Sequence, residues 1–208
     1  GSEMCIRDSD KEKLFFEYIN RLSKNEPLQY ILGNTLFNNL EFDLDSSVLI
    51  PRPETEELVD LIIKYECKKD KILDICSGSG CIAITLAKYI KRSDVTALEI
   101  CSNAVKIINN NADKHNVKID IICKDFFTFS TKNSFDLIVS NPPYLTYSQK
   151  DKISKNVLNY EPHQALFVND NDPLIFYKSI LDFSKSNLET SLSKQITDDF
   201  PRNPFSFN

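Results

Sequence analysis

Residues 72–90 read ILDICSGSGCIAITLAKYI. Ile72-Leu73-Asp74-Ile75-Cys76, apolar but for Asp74, is of strand length and predicts a buried strand, whereas 82–90 reads as a helix. The join, Cys76-Ser77-Gly78-Ser79-Gly80, carries two of the four glycines in the 208-residue chain. Glycine is needed where the main chain turns sharply or is approached closely. Two in one strand-to-helix turn therefore mark a place where a ligand can reach the backbone and the free N–H groups of a helix start. The turn is not G-x-G-x-x-G, because Ile82 and Ala83 follow Cys81, and no G-K-[ST] makes it a phosphate loop. Taken alone, such a turn is equally a tight connection.

The alternation continues downstream. Residues 94–100 read as a strand, Ala104, Val105, Ile108 and Ala112 mark a helix, and 118–123 and 135–140 read as further strands. Asp172-Pro173 has the form of an N-cap and first-turn proline, opening a helix to about Leu188. Upstream, Pro53 with Glu54, Glu56 and Glu57 suits a helix start, where acids complement the positive end of the dipole. Leu58, Leu61, Ile62 and Tyr65 form its expected apolar face. Residues 10–24 have helical spacing at Phe15, Tyr18, Ile19 and Leu22. PLQYILG at 27–33 reads as a short loop, and 35–42 with 47–50 as a hairpin around Asp45-Ser46-Ser47. Strands alternating with helices imply an α/β fold, with a mostly parallel sheet covered on both faces and ligands held at the strands' carboxyl ends.

Composition agrees with one such domain. The chain is 41% hydrophobic and 26% charged, and its net charge of -5 gives no general attraction for phosphate backbones, so no direct nucleic-acid partner is expected. No apolar run reaches membrane-spanning length and no secretory leader is evident, so no membrane partner is expected either. The six cysteines form no C-x-x-C pair and the two histidines lie far apart, so no metal site is expected; the thiols read as small buried groups in a reducing cytosol. A cytoplasmic monomer is the expectation.

Three consecutive strand ends carry polar chemistry. After the 76–80 turn, Glu99 ends the next strand, where an acid can accept both hydroxyls of a ribose. Asp125-Phe126 follows the third strand; the carboxylate or neighbouring backbone can meet an adenine edge while Phe126 covers its face. Phe127 and Phe129 read as core. This is the layout of an S-adenosylmethionine pocket in a class I, Rossmann-like methyltransferase. The fourth strand runs into Asn141-Pro142-Pro143-Tyr144. Two prolines stiffen the strand end and remove two donors, so the Asn141 side-chain oxygen and the Pro142 carbonyl can accept from one NH2 group while Tyr144 stacks on its plane. A delocalised amide or exocyclic nitrogen is a poor nucleophile, and holding its hydrogens can expose its lone pair to a sulfonium methyl.

The chain resembles the HemK/PrmC family, the protein-(glutamine-N5) methyltransferases of peptide chain release factors. The matching segments are PLQYILG (27–33), LIPRPETEELV (49–59), LDICSGSGCIAI (73–84), FDLIVSNPPY (135–144) and YEPHQALF (160–167). The resemblance implies methyl transfer from S-adenosyl-L-methionine to the glutamine side-chain nitrogen of a Gly-Gly-Gln motif, with a release factor as protein partner. It assigns Cys76, Ser77, Gly78, Ser79 and Gly80 to the methionine portion of the cofactor, Glu99, where the family usually has aspartate, to the ribose, and Asp125 and Phe126 to the adenine. Asn141, Pro142, Pro143 and Tyr144 would hold the glutamine, with Asn141, Pro142 and Tyr144 as the catalytic set and Asn141 also bordering the cofactor. Cys76 stands where the family has glycine. Arg52 and 54–56 either line the substrate entrance or cap and pack a helix.

Four parts are expected: 1–9 as a non-native leader, 10–50 as a remnant of an N-terminal helical domain plus the hairpin, 51–188 as the methyltransferase domain, and 189–208 as an unpatterned tail. The family's final strands are expected to be missing, leaving the fourth strand as an open edge. Two other readings stay open: an adenine-N6 or guanine-N2 nucleic-acid methyltransferase, because NPPY is shared with those enzymes, and an inactive remnant.

Overall fold

The computed structural model describes residues 2–65 and 70–188. Its centre is a parallel sheet of β3 (Lys71–Ile75), β4 (Asp94–Glu99), β5 (Asp120–Cys123) and β6 (Leu137–Ser140), in the order β5-β4-β3-β6. Ile72, Leu73, Asp74 and Ile75 are all buried. That is the outcome expected of a continuous apolar run in a central strand. Alternate residues serve the two faces. Ile72 packs with Ile82, Ile84 and Leu86 of α4 (Cys81–Tyr89) and Ile108 of α5 (Ser102–His115). Leu73 and Ile75 pack with Leu98, Phe126 and Phe135, beneath Phe176, Ile180 and Phe183 of α8 (Ile175–Asn187). The chain leaves β3 towards β4 and β5, then returns to place β6 on the other side. Such a switch in strand order opens a crevice at the carboxyl ends.

Several upstream elements differ from expectation. The hairpin is β1 (Asn34–Phe37) paired with β2 (Leu40–Asp43), and its turn is Asn38-Asn39, with φ of 50° and 60°. Two consecutive left-handed residues make the tight turn that suits strand twist, and asparagine tolerates that region better than other non-glycine residues. Residues 47–50 form no strand. Val48 and Ile50 instead pack with Tyr30, Leu44, Ala104 and Ile107, and the Tyr30 hydroxyl donates to the Val48 carbonyl at 2.7 Å. The 27–33 stretch is a short helix, α2 (Leu28–Leu32), opened by Pro27 and closed by Gly33 at φ 76°. α1 runs Ser2–Ser23, opening ahead of residue 10.

α3 (Pro53–Lys64) starts at the expected proline with Glu54 and Glu56 in its first turn, but its buried stripe is Thr55, Val59 and Ile62. Of the four residues expected there, only Ile62 is buried; Leu58, Leu61 and Tyr65 are exposed. The stripe faces Phe37 and Phe42, so tertiary packing set its phase. α8 begins after Leu174 rather than at Asp172, whose carboxylate receives Lys178 at 2.7 Å. Among the described residues β6 is the sheet edge, yet it is not bare at its start: Phe135 bridges Leu188 in parallel and donates to the Asn187 carbonyl at 2.7 Å. The expected tail, 189–208, lies outside the described residues. No helix among them is long and apolar enough to cross a membrane.

Candidate active site

A cleft of about 390 Å³, within the usual range for small-molecule sites, opens at the carboxyl ends of the sheet. All four strands supply its walls. From the β3 turn come Cys76, Ser77, Gly78 and Ser79; from β4, Glu99; after β5, Asp125 and Phe126; after β6, Asn141 and Pro143. Nine of the residues picked out by sequence therefore share one cavity. Gly80 does not border it. It caps α4 at φ 80° and sits against Ile84 and Ile108, so its lack of a side chain serves packing below the turn. Pro142, between two lining residues, is itself buried and not part of the lining, and Tyr144, 56% exposed, also stands outside it.

The turn is braced from both sides. The Cys76 and Ser77 N–H groups donate to the Leu98 carbonyl at 3.0 and 3.2 Å, and the Ser77 hydroxyl donates to the Asp74 carbonyl at 2.9 Å. Glu99 is buried, with one carboxylate oxygen receiving the Gly78 N–H and the other the Cys101 N–H, each at 2.8 Å. A carboxylate has about four acceptor sites, so both oxygens keep capacity for ligand hydroxyls. Cys76 adopts φ 62°, the glycine-like conformation a non-glycine residue rarely takes. Cys76 holds this conformation with a side chain attached, at a cost in strain.

Burial dominates the titration of this turn. Desolvation raises the Asp74 carboxyl to about 7; Glu99 adds to the rise, against hydrogen bonds from Ser77 and the Ala83 N–H. Burial also pushes the Cys81 thiol to about 12 and raises Cys76, the latter with help from Glu99, Asp74 and Asp125. Both stay neutral thiols near pH 7 and offer no thiolate nucleophile. Of the remaining described cysteines Cys101 is half-buried and Cys123 exposed, so the expectation of uniformly buried thiols was too broad.

The aromatic assignments are partly reversed. Phe126 borders the cleft but is mostly buried, meeting Phe183 edge-on at 5.8 Å. Phe127, expected in the core, is 47% exposed, lines the cleft and lies 4.8 Å from Phe176. Phe129 packs against the core as expected. A 3-10 turn over Phe126–Thr128, capped by Asp125 accepting the Phe127 N–H at 2.9 Å, turns the second ring outward.

Asn111 and Glu161 escaped sequence reasoning, and Thr55 fell inside the 54–56 segment without being singled out. Thr55 lines the cleft, and its hydroxyl receives the Asn141 amide Nδ2 at 3.1 Å. Nothing in PETE marks the threonine out among its acids. Asn111, fully buried on α5, binds both the N–H and carbonyl of Asp43 (2.8 and 3.0 Å) and the Ser79 carbonyl (3.0 Å), tying the hairpin to the turn. A signal existed here: Asn111 falls on the apolar stripe of Ala104, Ile108 and Ala112. Glu161, in YEP, is buried and grips the Arg52 guanidinium at 2.7 and 2.8 Å. It also receives the Ile50 N–H at 3.4 Å. Arg52 therefore joins IPRPE to YEP, and Pro162, Gln164 and Ala165 beyond it complete the cleft wall. Glu54 is exposed and does not border the cleft.

A doubly covered parallel sheet with a ligand cleft over its switch point, reaching from a G-x-G turn to an Asn-Pro-Pro strand end, defines the class I S-adenosylmethionine-dependent methyltransferase fold. The catalytic domain of hMettl16 in complex with an RNA hairpin shares it, with a TM-score of 0.56 at 17% identity over 84% of this chain and 74% of that one. The chain belongs to the methyltransferase small domain family, whose model matches residues 33–167. It is 47% identical to a release factor glutamine methyltransferase of Flavobacterium psychrophilum, covering 82% of this chain and 62% of that protein. It is 43% identical to one from Bacteroides thetaiotaomicron, covering 88% and 66%. The chain thus spans just under two thirds of the length of these relatives.

Proposed function

We propose that this chain transfers a methyl group from S-adenosyl-L-methionine to the side-chain nitrogen of a glutamine, in the Gly-Gly-Gln motif of a peptide chain release factor. The observation that carries the reading is the shared cleft, which faces the Cys76-to-Ser79 turn, Glu99 and Asp125 with Asn141 and Pro143. Relatives named release factor glutamine methyltransferases point to the same substrate. The cleft suits the cofactor. A side chain built at Gly78 would meet nothing within 4 Å, so the wall of the turn is open to a ligand, and Glu99 retains acceptor capacity beside it.

When bound, S-adenosyl-L-methionine supplies an electrophilic methyl on a cationic sulfur. Residues 76–79, with Gly80 supporting the turn from below, hold the methionine portion; Glu99 takes the ribose hydroxyls. Asp125 and Phe126 meet the adenine, and Phe127 joins them. On the substrate side, the Asn141 Oδ1 and the Pro142 carbonyl accept the two amide hydrogens, while Pro143 and the exposed Tyr144 flank the amide plane. Holding both hydrogens fixes the nitrogen for in-line approach and costs little reorganisation; as the N–CH3 bond forms and the S–CH3 bond breaks, one of the two held protons leaves the nitrogen by way of its acceptor to water. A release factor works where translation terminates, so the setting is the cytosol, and the reading is of a monomer acting on protein rather than nucleic acid.

Incubation with radiolabelled cofactor and a release factor tests this. Label should enter the Gly-Gly-Gln factor and not its Gly-Gly-Ala variant. An unlabelled factor, with a full-length relative active in parallel, refutes the activity for this chain; label in RNA or DNA instead refutes the substrate.

A further inference from the structure

An asparagine amide has one end that accepts and one that donates, and the two are nearly the same shape. Only the hydrogen-bond network decides which end faces the substrate. For Asn141 the decision has chemical weight. With Oδ1 in the cleft it accepts from a substrate NH2; with Nδ2 there, two donors face each other.

The motif itself does not settle the choice. Its prolines lack N–H groups, and among the described residues no other side chain hydrogen-bonds the Asn141 amide. The contact that exists runs to α3, where Nδ2 donates to the Thr55 hydroxyl at 3.1 Å. Thr55 is 7% exposed and borders the cleft. Its place is well defined: its N–H donates to the Arg52 carbonyl at 3.0 Å, and the Arg52 side chain is gripped by buried Glu161. The Arg52–Glu161 pair therefore anchors the helix start that carries the hydroxyl.

We propose that Thr55 is a positioning residue that holds the Asn141 amide by accepting from Nδ2, leaving Oδ1 for the nitrogen to be methylated; a hydroxyl can donate as well as accept, so the Asn141 NH2 signal decides this facing, and the proposal rests on the planar-nitrogen reading of the site given above. Removing the hydroxyl frees the amide to rotate between its two facings, so the acceptor is presented only part of the time. The Thr55 hydroxyl is not among the groups assigned to the cofactor above, so cofactor affinity should change little.

The test combines a spectroscopic and a kinetic readout on the full chain. The Asn141 side-chain NH2 signal is identified as the one missing in Asn141→Ala. In the parent protein one of its protons should lie downfield and exchange slowly. Thr55→Val should abolish both features and Thr55→Ser keep them, with Thr55→Ala as a second removal of the hydroxyl should the valine variant not fold. In methyl transfer, Thr55→Val should lower kcat about tenfold, the worth of one lost hydrogen bond to an oriented group, with the KM for cofactor unchanged. Thr55→Ser should restore most of it. In an Asn141→Ala background, Thr55→Val should change nothing further. An unaltered NH2 signal in Thr55→Val overturns the proposal, as does an equal loss of kcat with and without Asn141. If the parent chain labels no release factor, the substrate reading fails, while the NH2 signal still decides the facing of Asn141.

Discussion

Gly78 and Gly80 look equivalent in the sequence, and the structure separates them. Both have positive φ, 55° and 80°, so alanine at either adopts the left-handed region at about 1–2 kcal/mol. At Gly78 that is the whole loss, because a new Cβ meets nothing within 4 Å. At Gly80 the Cβ would sit 3.0 Å from Ile84 Cδ1 and 3.1 and 3.3 Å from Ile108 Cγ2 and Cγ1. The first is a chain end that can swing away. The other two hang directly from the Cβ of a fully buried residue and cannot move without shifting α5. Overpacking of that kind adds about 1–3 kcal/mol. Gly80→Ala should therefore cost about 2–5 kcal/mol and Gly78→Ala about 1–2. In a chain of this size each kcal/mol lowers Tm by roughly 2–4 °C, so the overpacking difference of about 1–3 kcal/mol should separate the two variants by at least about 2 °C. Denaturant titration and thermal unfolding without ligand provide the comparison. Equal losses, or a larger one for Gly78→Ala, would refute the assignment of Gly80 to packing and Gly78 to the ligand face.

Asn111→Ala strands the N–H and carbonyl of Asp43 and the Ser79 carbonyl, and should destabilise by about 2–4 kcal/mol; calorimetry with S-adenosylhomocysteine should also show weaker binding, and unchanged affinity would dissociate Asn111 from the turn. Arg52→Met leaves the Glu161 carboxylate buried without its cation and should cost about 2–4 kcal/mol, less than a fully enclosed pair because the Arg52 side chain is 34% exposed. The double variant Arg52→Met/Glu161→Gln should recover part of that loss, and a further additive loss would sink the pairing argument. Asp74 titrates near 7 in the fold, above its ordinary carboxylate value of 3.8. The native state thus holds its proton where the unfolded chain has released it, so this group's contribution to stability falls as pH rises from about 4 to 7. Asp74→Asn should gain on the parent protein across that window in urea midpoints; a gap constant from pH 4 to 7 would remove Asp74 from the pH response.

Much of this protein was legible residue by residue because the signals were local. The run Ile72 to Ile75, apolar but for Asp74 and leading into a glycine turn, reads as a covered strand, and the 76–80 turn and the Asn-Pro-Pro end announce themselves by backbone chemistry that few other residues supply. Nine of the proposed site residues accordingly share one cleft. Local signals failed where two segments compete for the same partner. Residues 47–50 carry a strand-like apolar run, Val48-Leu49-Ile50, but their packing partners are Tyr30 and α5, and the neighbouring strands had already closed on Asn38-Asn39. The buried stripe of α3 was turned by Phe37 and Phe42, which its own sequence does not contain.

The primary structure by itself therefore determined the class of fold, the order of its strands and helices, and the chemical kinds of group at each strand end, since period, glycine and proline act within a few residues. Only the tertiary structure decided which groups meet. Glu161 reaches Arg52 across 109 positions, Asn111 reaches Asp43 across 68, and Asn141 reaches Thr55 across 86. Hydrogen bonds of about 3 Å between such distant residues depend on how whole elements pack, and no periodicity along the chain encodes them. The same holds for Cys76, whose positive φ sits in a turn tied by distant hydrogen bonds, from the Cys76 and Ser77 N–H groups to the Leu98 carbonyl and from the Gly78 N–H to Glu99.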